Sequence, residues 1–268
     1  MPVSMKPPLK VEPPIRLRDF DPDFHAGLDK EATREQTTAL CQRLAELQNL
    51  LYANADRAVL ILLQGMDTSG KDGATKRLLE FVNPLEIEIA NFKAPSAEEL
   101  AHDFLWRIHQ RVPRFGHIGV FNRSHYEDVL VVRVMKLQPE RVWRARYEQI
   151  NAFEKHLVEN RVILLKFFLH ISKAEQAERL QERLSDKRKN WKFEAADLEM
   201  RARWAQFQHA YEDALNRCST EWAPWHIVPA DRKWYRDYVI ARTVVAALEK
   251  LKLRWPRPRT DLSKIKIV

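Results

Sequence analysis

Hydrophobic positions along this chain fall into two alternating patterns. From Lys30 to Tyr52 they recur at helical spacing, with Leu40, Leu44, Leu47, Leu50 and Leu51 forming one apolar stripe. Ala58–Gln64 (AVLILLQ) is instead a continuous apolar run of strand length, the pattern of a strand buried on both faces of a parallel sheet. Beyond it the two kinds alternate. Helices are predicted over Lys71–Phe81, stopped by Asn83-Pro84, and from Ser96 to about Arg111, where Ser96 and Glu99 form a capping box. Further helices are expected over His125–Met135, Pro139–Glu159, Ser172–Leu184, Glu194–Arg217 and Arg232–Leu251. Strands are expected at Ile87–Phe92, His117–Phe121, Val162–Leu169 and His226–Val228. This alternation implies βαβ units and an α/β fold, a parallel sheet covered by helices on both faces. The Pro-rich residues 1–30 read as an extended arm over a neighbouring surface, and 31–268 as a single domain.

Bulk composition narrows the picture only a little. The chain has 268 residues, 45% of them hydrophobic, which is ample for a packed core and argues against wholesale disorder. Its longest apolar run is too short to span a bilayer, and the N-terminus lacks the apolar stretch of a secretory signal. Two distant cysteines, Cys41 and Cys218, give neither a disulfide framework nor a zinc site and fit a reduced, cytoplasmic setting. A formal charge of +8 favours an anionic partner without choosing which.

The chemistry is carried by Gly65-Met66-Asp67-Thr68-Ser69-Gly70-Lys71-Asp72-Gly73, a G-x-x-x-x-G-K pattern between the most apolar strand and a helix. Such a loop turns several backbone N–H groups toward one point at the positive end of the helix, and Lys71 adds a charge for phosphate oxygens. Half of the six glycines in the chain lie here, which counts against a chance surface turn. Asp72 stands where Ser or Thr usually offers a hydroxyl to Mg²⁺, and Asp67 puts a carboxylate inside the loop, where it would repel phosphate unless a cation intervened. The two together suggest a magnesium site, against the plainer reading of each as a turn or helix N-terminal residue.

A second cluster, Asn122-Arg123-Ser124-His125-Tyr126-Glu127-Asp128, follows the strand ending at Phe121 and should face the phosphate loop across the carboxyl ends of the strands. Asn122 replaces the Asp that commonly holds metal there, which throws more of that work onto Asp67 and Asp72. Arg123 is suited to clamp a phosphoryl group. Tyr126, Glu127 and Asp128 join Asn122 as candidate nucleotide- and phosphate-binding residues, although Ser124 and Glu127 also fit a helix cap. Finally, Arg183, Lys187, Arg188, Lys189 and Lys192 crowd around Trp191, either as a solvated helix end or as a lid over about 179–200 that closes on phosphates.

Five segments resemble the family 2 polyphosphate kinases in the same order and at similar spacings: GMDTSGKDG, FNRSHYEDV, LKFFLHIS, KNWKF and PADRKWYR. The resemblance runs from about residue 15 to near the C-terminus, and the FNRSHYEDV form looks like class III, whose members phosphorylate both AMP and ADP. It implies a thymidylate-kinase-like P-loop core with a helical lid. It puts Asp67, Lys71, Asn122, Arg123 and Arg183 at the reacting phosphates, with Mg²⁺ (or Mn²⁺) near Asp67 and Glu127 helping AMP serve as acceptor. It further implies a basic channel for polyphosphate, for which Lys76, Arg77, Lys93, Arg133, Lys187, Lys189 and Lys192 are candidates, AMP, ADP and ATP as nucleotides, and assembly into dimers or tetramers.

Two rivals share some of these features. An ATP-dependent nucleoside or nucleotide kinase would have the same core and lid, but calls for Ser or Thr at position 72. A nucleic-acid-binding protein would suit the charge and the eight tryptophans. Trp106, Trp143, Trp204 and Trp234 fall within predicted amphipathic helices, however, and no helix-turn-helix, zinc-finger or RNP-type signal occurs, so neither nucleic acid nor membrane is expected as a partner.

Overall fold

The seven residues Ala58–Gln64 are all buried, so this strand has no edge or face left for solvent and sets the centre of the sheet. The computed structural model describes residues 9–258, 260, 261 and 265; the first eight residues of the expected arm lie outside these. In chain order the elements are β1 (Leu9–Lys10), α1 (Lys30–Asn54), β2 (Ala58–Gln64), α2 (Lys71–Leu78), β3 (Ile87–Asn91), α3 (Ala97–Leu100), α4 (Trp106–His109) and β4 (Ile118–Asn122). There follow α5 (Val131–Val134), α6 (Glu140–Glu159), β5 (Val162–His170), α7 (Lys173–Ser185), α8 (Ala195–Ala202), α9 (Trp204–Cys218), β6 (Trp225–Pro229) and α10 (Lys233–Glu249). The sheet order is β1-β6-β5-β2-β4-β3, with five strands parallel and β1 antiparallel to β6.

The period of two along β2 divides the core. Ala58, Leu60 and Leu62 face a cluster with Trp143, Ile150, Phe207 and Tyr211 of α6 and α9. Val59, Ile61 and Leu63 face Leu44, Leu51, Tyr235 and Val244 of α1 and α10. Helices therefore cover both faces of a parallel sheet, the doubly covered arrangement that its near-continuous apolar strands require. Beyond β1, Val11 donates its N–H to Trp225 O (2.8 Å), while the Ile15 and Leu17 N–H groups bond Asn216 Oδ1 and Glu212 Oε2 at 2.7 Å each. No helix among the described residues is long and apolar enough to cross a membrane.

Three expected helices are broken, two of them by a local competitor. The one from Ser96 to Arg111 keeps its capping box but yields α3 and α4, because Asp103 Oδ1 takes the Leu105 N–H (2.9 Å) that would have continued the ladder. His125–Met135 opens as a 3-10 turn over His125–Asp128 before α5, with Ser124 Oγ accepting the Tyr126 N–H and β-branched Val129, Val131 and Val132 following. Glu194–Arg217 divides at Arg203 (φ −94°, ψ 22°) into α8 and α9. Of the four helical tryptophans, Trp143 is buried, and Trp204 and Trp234 pack partly buried against the core. Trp106 instead stacks on His102 at 4.0 Å.

Candidate functional site

The carboxyl ends of β2, β4, β5 and β6 meet in register, Leu63 opposite both Asn122 and Phe167, and their following loops make the site. After β2 the chain turns through Gly65 (φ 154°) and Gly70 (φ 95°), with Thr68 also left-handed at 65°. A Cβ at Gly70 would lie 2.0 Å from a guanidinium nitrogen of Arg236, so only glycine lets the loop and that arginine coexist. Lys71, 8% exposed, reaches back over the loop, its Nζ donating to Gly65 O (2.8 Å) and Met66 O (3.2 Å). Burial and the neighbouring Arg123 charge lower its pKa, and Asp67, Glu127 and Asp72 oppose that shift. Thr68 Oγ1 and Ser69 Oγ are buried without a partner, two idle hydroxyls in the loop.

The second cluster lies beside this loop. Arg123 adopts φ 62° while its N–H bonds Leu63 O (3.1 Å), a turn that aims its Nη2 at Asp67 Oδ1 (2.8 Å). Glu127 above all, and then Asp67, hold its guanidinium firmly charged. Asn122 Nδ2 donates to Asp72 Oδ1, joining the end of β4 to the first turn of α2. Asp67, Lys71, Asp72, Asn122, Arg123 and Glu127 are thus gathered in one place, with Gly65, Met66, Thr68, Ser69, Gly70 and Gly73 in the loop or the helix turn it enters.

Other predicted residues are placed differently. Tyr126 is wholly buried and its hydroxyl is taken by Glu154 and Lys166, so it supports the cluster from beneath instead of facing a ligand. Asp128 is 9% exposed and paired with Arg146 Nη1 (2.8 Å); burial raises its carboxyl pKa to about 6. Arg183 points to Asp197 Oδ2 of α8 (3.1 Å) and Lys192 O (3.2 Å), within the segment expected to form a lid, and not at the phosphate loop. Arg133 is occupied by Asp213 (2.6 Å), Tyr147 Oη (3.2 Å) and the Trp143 ring, a packing role between α5, α6 and α9. Arg77 ties α2 to Thr38 of α1 (2.6 Å) and to Glu80. Lys76, Lys93, Lys187 and Lys192 have exposed side chains, while Lys189 pairs with Glu182.

Sequence reasoning counted Arg179 in the lid and did not single out Gln176 or Arg236 behind the loop. Arg179 is 7% exposed and donates to Thr68 O (2.8 Å), Ala230 O (2.7 Å) and Asp231 O (2.9 Å), stitching the loop to the end of β6. Gln176 Nε2 holds Asp67 O (3.1 Å), and Arg236 stands against Gly70. The signal was present for two of them: Arg179 lies one turn before Arg183, and Arg236 closes the PADRKWYR segment. A cavity of about 760 Å³ opens near the end of β5, between Arg16 and Arg18 of the arm and Gln208 and His209 of α9.

Residues 27–255 match the family described as Polyphosphate kinase 2. An AMP/ADP-polyphosphate phosphotransferase of Meiothermus ruber is 48% identical over 96% of this chain and 98% of its own length. An ADP-polyphosphate phosphotransferase of Rhodopseudomonas palustris is 44% identical over 85% and 83%. The crystal structure of polyphosphate kinase 2 from Arthrobacter aurescens superposes with a TM-score of 0.93 at 40% identity, covering 95% of this chain and 92% of that one. On sequence and fold alike, the chain belongs to the polyphosphate kinase 2 family.

Proposed function

We propose that this protein transfers the terminal phosphoryl group of inorganic polyphosphate to AMP and to ADP, reversibly, giving ADP and ATP. The observation that carries this reading is the 48% identity, over nearly the whole of both chains, to a protein named for AMP and ADP together. The site supports it chemically. A terminal nucleotide phosphate is already anionic, so the reaction needs positioning and charge neutralisation more than a strong base. Lys71 and Arg123 supply fixed positive charge, and the idle hydroxyls of Thr68 and Ser69 line the loop that would cradle phosphate. Arg183 would join them once it exchanges Asp197 for phosphate oxygens, the part of the lid beyond Arg179 closing as it does so.

Asp67 and Asp72 flank Lys71 in sequence and carry hard carboxylate oxygens, one of each accepting from Arg123 and Asn122 and the other being the donor type that suits Mg²⁺ or Mn²⁺. Bound there, the cation would neutralise phosphate charge and remove the repulsion between Asp67 and the substrate. The exposed Lys76, Lys93, Lys187 and Lys192, with Lys189, would guide the polyanion. The proposal includes a cytoplasmic setting, supported by two unpaired, buried cysteines, and assembly into a dimer or tetramer, which light scattering would check. An ATP-dependent nucleotide kinase is the weaker reading, since Asp72 takes the place of the usual hydroxyl residue.

The test is an assay of purified protein with AMP, Mg²⁺ and long-chain polyphosphate, without ATP, following nucleotides by chromatography. ADP followed by ATP is the expected result. ADP alone would remove the second acceptor. No product until ATP is added would replace the proposal with the rival kinase.

A further inference from the structure

Beneath the Asn122–Asp128 cluster, a charged side chain stands where the sheet pattern calls for an apolar one. Lys166 occupies the middle of β5 on the face shared by Leu164 and Phe168, and is 0% exposed. Its Nζ spends three donors, on Glu154 Oε2 of α6 (2.5 Å), Cys218 O (2.7 Å) and Tyr126 Oη (2.9 Å). Glu154, also 0% exposed, uses its other oxygen to accept from Tyr126 Oη (2.8 Å) and His125 Nε2 (3.2 Å).

Stability does not account for this pair. Taking two charges out of water costs about as much as their attraction returns, and well-packed apolar residues at such positions are often as stable or more so. What apolar residues cannot do is hold a hydroxyl and an imidazole in fixed positions. Both groups tied down here belong to the residues that follow Arg123-Ser124 and precede Glu127. Ser124 Oγ in turn accepts from Tyr126 N (3.3 Å) and from Gln64 Nε2 (3.1 Å), the residue before Gly65. Arg123 sits at φ 62°, a backbone conformation unfavourable for a non-glycine residue that persists only where its surroundings impose it.

We propose that Glu154 and Lys166 are positioning residues for phosphoryl transfer. They anchor His125 and Tyr126 so that Arg123 is presented in its strained turn to Asp67 and to the substrate phosphates. The inference rests on the proposed reaction, so the wild-type protein is assayed beside every variant; an inactive wild type would count against that reaction and not against the anchor.

The experiment is a double-mutant cycle between Glu154→Gln and Arg123→Ala, read in kcat and in KM for polyphosphate. Glu154→Gln keeps the shape but loses the charge that holds Lys166, Tyr126 and His125. It is expected to lower kcat about tenfold with KM within about twofold, and to cost almost nothing further once Arg123 is already alanine. Equal losses in both backgrounds would mean general damage to the fold and would overturn the proposal. If Glu154→Gln fails to fold, Tyr126→Phe, which removes only the tethered hydroxyl, is read the same way. Wild-type kcat in that variant would overturn it too. The apolar pair Lys166→Met with Glu154→Leu completes the test: a melting temperature near wild type with reduced kcat supports the anchor, and a stable variant with full kcat refutes it.

Discussion

Arg179 and Arg183 stand one helical turn apart on α7, and the structure treats them in opposite ways. Arg179 is 7% exposed and fixes three backbone carbonyls, those of Thr68, Ala230 and Asp231, while its Nε pairs with Glu175 (2.7 Å). It belongs to the wall behind the phosphate loop. Arg183, its side chain 24% exposed, touches only the lid, through Asp197 and the Lys192 carbonyl. The first makes bonds that nothing in a catalytic cycle would replace, because backbone carbonyls have no other partner of equal worth there. The second makes bonds that a phosphate offers equally well, a carboxylate exchanged for another anion. Geometry that must never change is built from buried donors on backbone acceptors; geometry that must change is built from a partly exposed ion pair of smaller net worth.

The comparison breaks first at Lys71, the charge nearest the centre of the wall. Lys71→Met should lower kcat by about 10³-fold, the loss expected when a preorganised charge on a transferring group is removed. Circular dichroism should show an unchanged fold, since only the bonds to Gly65 O and Met66 O are lost. Retained turnover in a folded Lys71→Met protein would sink the site. Next comes Arg179→Met, which leaves three backbone carbonyls without their donor. Two of these, on Thr68 and Ala230, are buried and the third on Asp231 partly so, and the loss should destabilise by roughly 2 kcal/mol, seen as a lower melting temperature, with activity falling alongside. Arg183→Ala should do the reverse: kcat falls by about 10²-fold while the melting temperature barely moves. If the two arginine variants gave the same profile, the division between wall and lid would fail.

How far the sequence revealed these parts depends on how local the cause is. The phosphate loop was legible because a strand, its glycines and its lysine lie within fourteen consecutive residues, Ala58–Lys71, and each choice acts on its neighbours. The central strand was legible for the same reason: burial on both faces leaves an unbroken apolar run. Arg123 could be read because it directly follows a strand beside the loop. Tyr126 could not, since its place under the cluster is set by Glu154 of α6 and by Lys166, which a period-two reading of β5 treats as a polar exception. Arg133 is a similar case: its charge suggested a channel, and Asp213 with Trp143, both distant in sequence, claimed it. The broken helices failed for a nearer reason. Asp103 competes for a single backbone N–H, which periodicity does not register.

The smallest effect offers the sharpest test of the exchange assigned to Arg183. Asp197 is 9% exposed, and burial first, then Asp67, raises its pKa above the ordinary aspartate value. Asp197→Asn removes the carboxylate that Arg183 must leave, so phosphate meets less competition. A partly exposed ion pair is worth on the order of 0.5 kcal/mol, and KM for polyphosphate should therefore drop by about two- to threefold, with kcat unchanged. The sign with pH follows from the raised pKa. A carboxyl of this kind protonates at a higher pH than an exposed one, and once neutral it holds Arg183 no better than asparagine does. The gap in KM between wild type and variant should accordingly be full at pH 8 and narrow as pH falls through the raised pKa of Asp197. A gap that stayed constant with pH would place the effect of Asp197 in its other role, the Glu194 capping box at the start of α8, and would leave Arg183 without a competitor to exchange.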